Sequence, residues 1–235
     1  MPTPLSVLGF DADDTLWHNE RYYRLTEERF GGLLREYVEG DHVSERLLAA
    51  ERRNLVLYGF GIKGFTLSMI ETAIEVTDGK APASVIAEIL AAGRELLAHP
   101  VDPLPHARDT LERLAATHRL VLITKGDLFD QERKLAQSGL GEFFHAVEIV
   151  SDKTRETYQR CFARHGTGAA NALMVGNSLK SDVLPAIEAG AHGVHVPYAI
   201  TWALERAEPP QREPRFHAIA TLADLPSLVE VIERR

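Results

Sequence analysis

The sequence predicts an α/β fold, a doubly wound parallel sheet with a helical domain inserted near its start, and three observations predict it. The apolar run Leu5-Ser6-Val7-Leu8-Gly9-Phe10 ends abruptly in Asp11-Ala12-Asp13-Asp14-Thr15-Leu16. From about Asn19 to Ala98 the apolar residues recur at helical intervals with no clear strand. Beyond Pro100, Pro103 and Pro105, strand and helix patterns alternate to the C-terminus, as repeated β-α units of a parallel sheet do. The expected division is therefore an α/β domain from residues 1–18 and 100–235, with a helical domain at 19–99.

A short apolar run without polar alternation reads as a strand buried on both faces, the kind found in parallel sheets. The acids after Phe10 then stand at the carboxyl end of that strand, where open α/β sheets bind ligands. Asp11, Asp13 and Asp14 are three carboxylates within four residues. At ~4 Å and an effective dielectric of ~20, each pair repels by roughly 4 kcal/mol before screening, so a fold that gathers them needs a cation or a raised pKa. A helix N-cap or an Asx-turn is the plainer reading of Asp-Asp-Thr after a strand.

In the inserted domain, Tyr22, Leu25, Phe30, Leu33, Leu34 and Tyr37 mark a first helix from Arg21 to Val38, ended by Gly40-Asp41, and a second helix runs to Leu57. Tyr58-Gly59-Phe60-Gly61-Ile62-Lys63-Gly64-Phe65 is expected to be a loop, since three glycines among aromatics resist a regular helix. Helices resume at Thr66–Thr77 and Pro82–Ala98. The three prolines then disfavour helix and return the chain to the first domain.

Strands are expected at Leu120–Thr124, Ala146–Val150, Ala172–Val175, Gly193–Val196 and His217–Ala220, separated by helices. The charged stretch Glu205–Arg215 reads as a solvated loop.

Composition bounds the function. Hydrophobic residues at 45% and charged ones at 26% are those of a chain that buries a core. A net charge of −8 argues against a nucleic-acid polymer as partner, which takes basic surface. Cys161 is the only cysteine, which excludes an intrachain disulfide and argues against a Cys-based zinc site. Met1-Pro2-Thr3-Pro4 lacks the pattern of a signal peptide, and no apolar stretch approaches membrane-spanning length. The expectation is a soluble, cytoplasmic protein, monomer or homodimer, with no membrane partner.

Four motifs fall in order, each beside an expected strand: Asp11-Ala12-Asp13-Asp14-Thr15-Leu16, Leu122-Ile123-Thr124-Lys125-Gly126, Ser151-Asp152-Lys153, and Gly176-Asn177-Ser178 through Asp182. Together they resemble the haloacid dehalogenase-like (HAD) superfamily, most closely its phosphatases with a helical cap inserted after the first motif, and the resemblance spans nearly the whole chain. It implies a Rossmann-like core and hydrolysis of a small-metabolite phosphomonoester, of the nucleotide or sugar phosphate class, through an aspartyl-phosphate. In that scheme Asp11 is the nucleophile and Asp13, two residues on, the acid and base. Mg²⁺ would be held by Asp11, the carbonyl of Asp13 and Asp182. Asn177, standing where an acid often follows the glycine, is either a further ligand or a loop former.

Thr124, Lys125 and Gly126 would grip the phosphate through a hydroxyl and main-chain N–H groups at a helix start, or serve only as an N-cap. Lys153 would reach both nucleophile and phosphoryl group. Asp14 and Thr15 are expected to shape the turn.

Substrate choice is expected in the cap, with Lys63, Phe60 and Phe65 of the glycine-rich loop as candidates. Trp17, His18 and Tyr22 read equally as substrate contacts or as aromatic packing. The alternatives are a 2-haloacid dehalogenase, which shares the nucleophile but needs neither metal nor acid, a phosphomutase of the same superfamily, and a metal-binding regulatory module without catalysis.

Overall fold

The structure, a computed structural model, describes residues 4–38 and 40–234. Met1–Thr3 of the N-terminus read for targeting signals lie outside them. Strands β1 (Val7–Phe10), β2 (Leu120–Lys125), β3 (Ala146–Val150), β4 (Ala172–Gly176), β5 (His192–His195) and β6 (Phe216–Ala218) form one sheet in the order β3-β2-β1-β4-β5-β6, every neighbouring pair parallel. This is a Rossmann-like α/β fold, and the order reverses between β1 and β4, the topological switch point at which such sheets open a crevice for ligands.

In chain order the helices are α1 (Glu20–Leu34), α2 (Gly40–Tyr58), α3 (Ile62–Val76), α4 (Ala83–Ala98), α5 (Ala107–Ala115), α6 (Leu128–Ser138), α7 (Arg155–His165), α8 (Leu184–Glu188) and α9 (Leu225–Glu233). The chain forms two compact units. One contains the residues up to Asn19, Val101–Lys125 and those from Gln131 onward; the other contains Glu20–Pro100 and also Gly126–Asp130.

The apolar strands have two buried faces. Leu8, Phe10, Leu120, Leu122, Leu173 and Val175 pack with Leu111 and Leu114 of α5 and Leu225 and Val229 of α9. The alternate residues Val7, Val121, Ile123, Ala172 and Met174 pack with Tyr158 and Phe162 of α7 and Ala186 of α8. Burial on both sides is why these strands read as apolar runs and not as alternating ones.

The helical unit has its own core of Phe30, Leu34, Val43, Leu47, Ile62, Phe65, Met69, Ala73, Ile89 and Leu96. Two expectations are corrected here. The first helix stops at Leu34, soon after Gly31-Gly32, and Gly40 opens the next helix instead of ending this one; paired glycines cost helix stability near its end. The expected loop Tyr58–Phe65 shrinks to Gly59–Gly61, because positive φ at Gly59 (72°) and Gly61 (123°) completes the turn and α3 begins at Ile62. Gly64 is inside that helix, and Phe65 is a core residue.

Among the described residues no helix is long and apolar enough to cross a membrane.

Helices α3 and α4 approach closely at Gly93, where a Cβ would stand 2.4 Å from Thr66 Oγ1. Overpacking of this kind costs about 1–3 kcal/mol and alanine regains ~1 kcal/mol of helix propensity. Gly93→Ala is therefore expected to lower stability in urea denaturation, and Thr66→Ala in the same chain to restore it. An unchanged or raised stability in Gly93→Ala alone would contradict the close approach.

Candidate active site

Asp11 follows β1 directly, and its main-chain N–H donates to Val175 O of β4 at 2.9 Å, so the chain stays in sheet register up to the carboxylate. The turn that follows is tight. Thr15 and Leu16 N–H both bond Ala12 O, Asp14 takes a positive φ of 62°, and its Oδ1 accepts from Asn19 N–H at 2.8 Å. Asp tolerates this left-handed backbone better than most side chains, which gives Asp14 the turn-shaping part expected of it. Thr15 does more than shape the turn. Its hydroxyl donates to Asp11 Oδ2 at 2.8 Å and accepts from Asn177 N–H at 3.0 Å, linking the first motif to the loop after β4.

Lys153, three residues past β3, is buried and lies between two carboxylates. Its ammonium donates to Asp11 Oδ1 and, at 2.7 Å, to Asp182 Oδ1. Asp182 arrives by an unusual backbone: Leu179–Val183 is a π-helical turn running into α8, capped by Ser178. Val183 N–H reaches back five residues to Ser178 O, and Ser178 N–H donates to Asp182 Oδ2 at 2.9 Å. Such bulges re-aim a side chain and recur at functional sites. Gly176 makes room for it, since a Cβ there would stand 2.2 Å from Asp182 Oδ2.

Two carboxylates share one ammonium here, out of water. Burial and the neighbouring Asp182 push the Asp11 carboxyl up to about 7, against the pull of Lys153. Burial alone would lower the Lys153 ammonium, but Asp11 and Asp182 hold it raised. Desolvation, with Asp182 and Asp11 adding to it, raises the Tyr158 phenol well above its usual value, so its O–H stays a donor, to Ser181 O at 2.9 Å. Asn177 presents Oδ1 3.3 Å from Thr15 Oγ1, and His195 Nε2 lies 3.0 Å from Asn177 O.

Asp13 is held differently from Asp11. Lys134 of α6 donates to both its oxygens, at 2.9 and 3.0 Å, Gln131 Nε2 to Oδ2 at 2.8 Å and Trp17 Nε1 to Oδ1 at 2.7 Å. Desolvation opposes ionisation, but Lys134, Gln131 and Trp17 outweigh it and hold this carboxyl below its ordinary value. Three donors thus favour the carboxylate form of Asp13 in the protein by itself. Neither Lys134 nor Gln131 was singled out in the sequence. Both sit one face of α6 apart, at i and i+3, but no local pattern ties them to Asp13.

Thr124 ends the buried part of β2, and Gly126 takes a φ of 138° after it. Lys125, expected at the phosphate, points elsewhere: its ammonium donates to Ser181 Oγ and to Glu205 Oε1, both at 2.7 Å. Glu205 is therefore not part of a solvated loop, its side chain being 15% exposed. The tentative cap residues lie within the helical unit. Lys63 pairs with Asp127 at 3.2 Å and lies 5.8 Å from the Phe129 ring centre, both within the helical unit. Phe65 is buried 5.0 Å from the Tyr23 ring, and Phe60 is half-buried. His18 Nδ1 meets Tyr198 Oη at 2.7 Å, and the Tyr22 ring lies 3.8 Å from that of His99.

The donors suited to a hard divalent cation are Asp11, Asp182, the Asp13 carbonyl and Asn177 Oδ1, all oxygens. Only two are carboxylates, and among the described residues no group of three His, Cys, Asp or Glu side chains is arranged to hold a metal. The set fits such an ion on charge: two buried carboxylates on one ammonium leave a negative charge, and the raised Asp11 carboxyl registers it.

Lys134→Met removes one partner of a pair in which Asp13 keeps 22% of its side chain exposed. The expected loss is about 3 kcal/mol at pH 7, the low end for breaking a buried pair. Because the folded Asp13 value is depressed, this stabilisation is fully present above its unfolded value of 3.8 and is lost as the pH falls through the folded one. The deficit of the variant in chemical denaturation should therefore shrink on acidification below about pH 4; a deficit constant with pH would contradict the pairing.

Comparison with known proteins agrees with the fold and the motif order. Residues 5–190 match the family model described as a haloacid dehalogenase-like hydrolase. No curated protein gives a significant match. A solved haloacid dehalogenase-like family hydrolase from Xanthomonas campestris is 41% identical over 98% of this chain and 92% of its own, with a TM-score of 0.88. The HAD-hydrolase YfnB from Bacillus subtilis, solved bound to magnesium, is 18% identical over 97% of this chain and 99% of its own (TM-score 0.68). L-2-haloacid dehalogenase from Xanthobacter autotrophicus, solved with chloropropionic acid covalently bound, is 20% identical over 96% and 98% (TM-score 0.65). The last two likenesses speak for the fold alone. With the family model covering most of its length and a solved member sharing 41% of its residues, the chain belongs to the haloacid dehalogenase-like hydrolases.

Proposed function

We propose that this hydrolase is a Mg²⁺-dependent phosphatase of small-metabolite phosphomonoesters, of the nucleotide or sugar phosphate class. The observation that carries this reading is the pair of buried carboxylates, Asp11 and Asp182, on the single ammonium of Lys153. A site short of one positive charge suits a divalent cation together with a phosphoryl dianion. Displacement of halide from a 2-haloacid, through the same nucleophile, needs neither.

In the proposed reaction an Asp11 oxygen attacks phosphorus, the bond from phosphorus to the leaving oxygen breaks with its electron pair passing to that oxygen, Asp13 gives that oxygen a proton, and an aspartyl-phosphate forms. Thr15 orients Asp11 by holding Oδ2, while Lys153 offsets charge growing on the phosphoryl oxygens. The Thr124 hydroxyl and the N–H groups after it would bind those oxygens. In the second half a water attacks phosphorus, the Asp11–phosphorus bond breaks, and Asp13, now a carboxylate, takes the proton of the water, which restores it for the next leaving oxygen. Mg²⁺, held by Asp11, the Asp13 carbonyl, Asp182 and Asn177, would supply charge neutralisation of the phosphoryl group.

Asn177 is the observation that favours a second reading. An amide where an acid often stands lowers the negative charge available to a metal, which suits metal-free dehalogenation. The two are separated by assaying a panel of phosphomonoesters with and without Mg²⁺, beside 2-chloropropionate. The expected outcome is Mg²⁺-dependent phosphate release that falls to background in Asp11→Asn. Halide release without metal, and no phosphate from any ester, would reject the phosphatase.

A further inference from the structure

In the connection after β5, Glu205 reaches back to the end of β2 and to the loop that follows β4. Glu205 ends a short 3-10 turn, Ala203–Glu205, beyond the stretch matched to the family, which stops at residue 190. Its carboxylate accepts from Lys125 Nζ at 2.7 Å through Oε1, and through Oε2 from the hydroxyls of both Ser178 and Ser181 at 2.5 Å. Lys125 Nζ donates also to Ser181 Oγ at 2.7 Å, and Lys180 Nζ to Leu204 O at 2.6 Å, so the connection is tied to the π-helical turn twice.

Each partner belongs to a loop of the proposed site. Lys125 follows Thr124 at the end of β2. Ser178 and Ser181 cap and form the turn that presents Asp182, and Ser181 is its immediate neighbour. A buried ion pair with both carboxylate oxygens committed fixes orientation more than it adds stability. It also decides where one cation goes. An ammonium left free beside the phosphate grip would bind a phosphoryl group equally in substrate, transition state and product, which tightens product inhibition without helping the chemical step.

We propose that Glu205 is a positioning residue of this site: it fastens the Lys125 ammonium to Ser178 and Ser181, which keeps that cation off the phosphoryl group and holds the Asp182 turn against the end of β2. Keeping the cation off the phosphoryl group rests on the phosphatase reading; the fastening itself does not.

Two measurements on the full chain separate them, using Glu205→Gln, Lys125→Met and the double variant. Glu205→Asp, one methylene shorter with the charge kept, serves if Glu205→Gln does not fold. In urea denaturation each single variant is expected to lose stability and the double to lose clearly less than the sum, since the residues share one interaction; additive losses overturn the proposal whatever the activity. In hydrolysis of p-nitrophenyl phosphate with Mg²⁺, Glu205→Gln is expected to bind inorganic phosphate roughly fivefold tighter as a competitive inhibitor, the scale of one screened charge, while kcat falls. The tightening should vanish in the double variant. A fall in kcat with phosphate inhibition unchanged, or tightening that persists without Lys125, also overturns it. If the wild-type protein releases no phosphate from any ester, the phosphatase reading fails separately, and the denaturation cycle decides the fastening alone.

Discussion

The site depends on one buried ammonium shared by two carboxylates. Lys153 can stand between Asp11 and Asp182 only because the sheet order sets β1 beside β4, with β3 two strands away on the other side, so that three loops converge at one sheet edge. The supporting details serve that convergence. Thr15 ties the first loop to Asn177, Gly176 vacates the volume that Asp182 fills, and a π-helical turn aims its carboxylate at Ser178 N–H and Lys153.

Around that centre two further acids are matched with cations of their own: Asp13 with Lys134, and Glu205 with Lys125. Charge is thus balanced in these two pairs and short at the centre. This contrast explains why two aspartates two residues apart are displaced in opposite directions, Asp11 upward and Asp13 downward. Divergent environments of this kind can divide chemical roles between like residues.

Much of the fold was legible in the sequence because strands buried on both faces leave unbroken apolar runs, and the acids at the end of the first such run could be located from strand position alone. That Lys153 and Asp182 come to Asp11 was legible through motif order. Lys134, Gln131 and Glu205 were not. They meet Asp13 and Lys125 across 121, 118 and 80 residues, and a charged side chain on a helix or in a Pro-rich connection has the same composition whether it faces water or a buried partner. The glycines around Lys63 and Phe65 misled for a related reason. Three nearby glycines look like a flexible loop, but two of them turn the chain and the third packs inside a helix, which leaves Phe65 in a core and Lys63 paired with Asp127.

The central claim is that Asp11 and Asp182 together lack one positive charge that a divalent cation supplies. Calorimetric titration of Mg²⁺ into the wild-type chain and into Asp182→Asn at pH 8 tests it directly. One Mg²⁺ bound per wild-type chain, with binding lost in the variant, is the outcome the account requires. No binding to the wild type, or equal binding to Asp182→Asn, would contradict it.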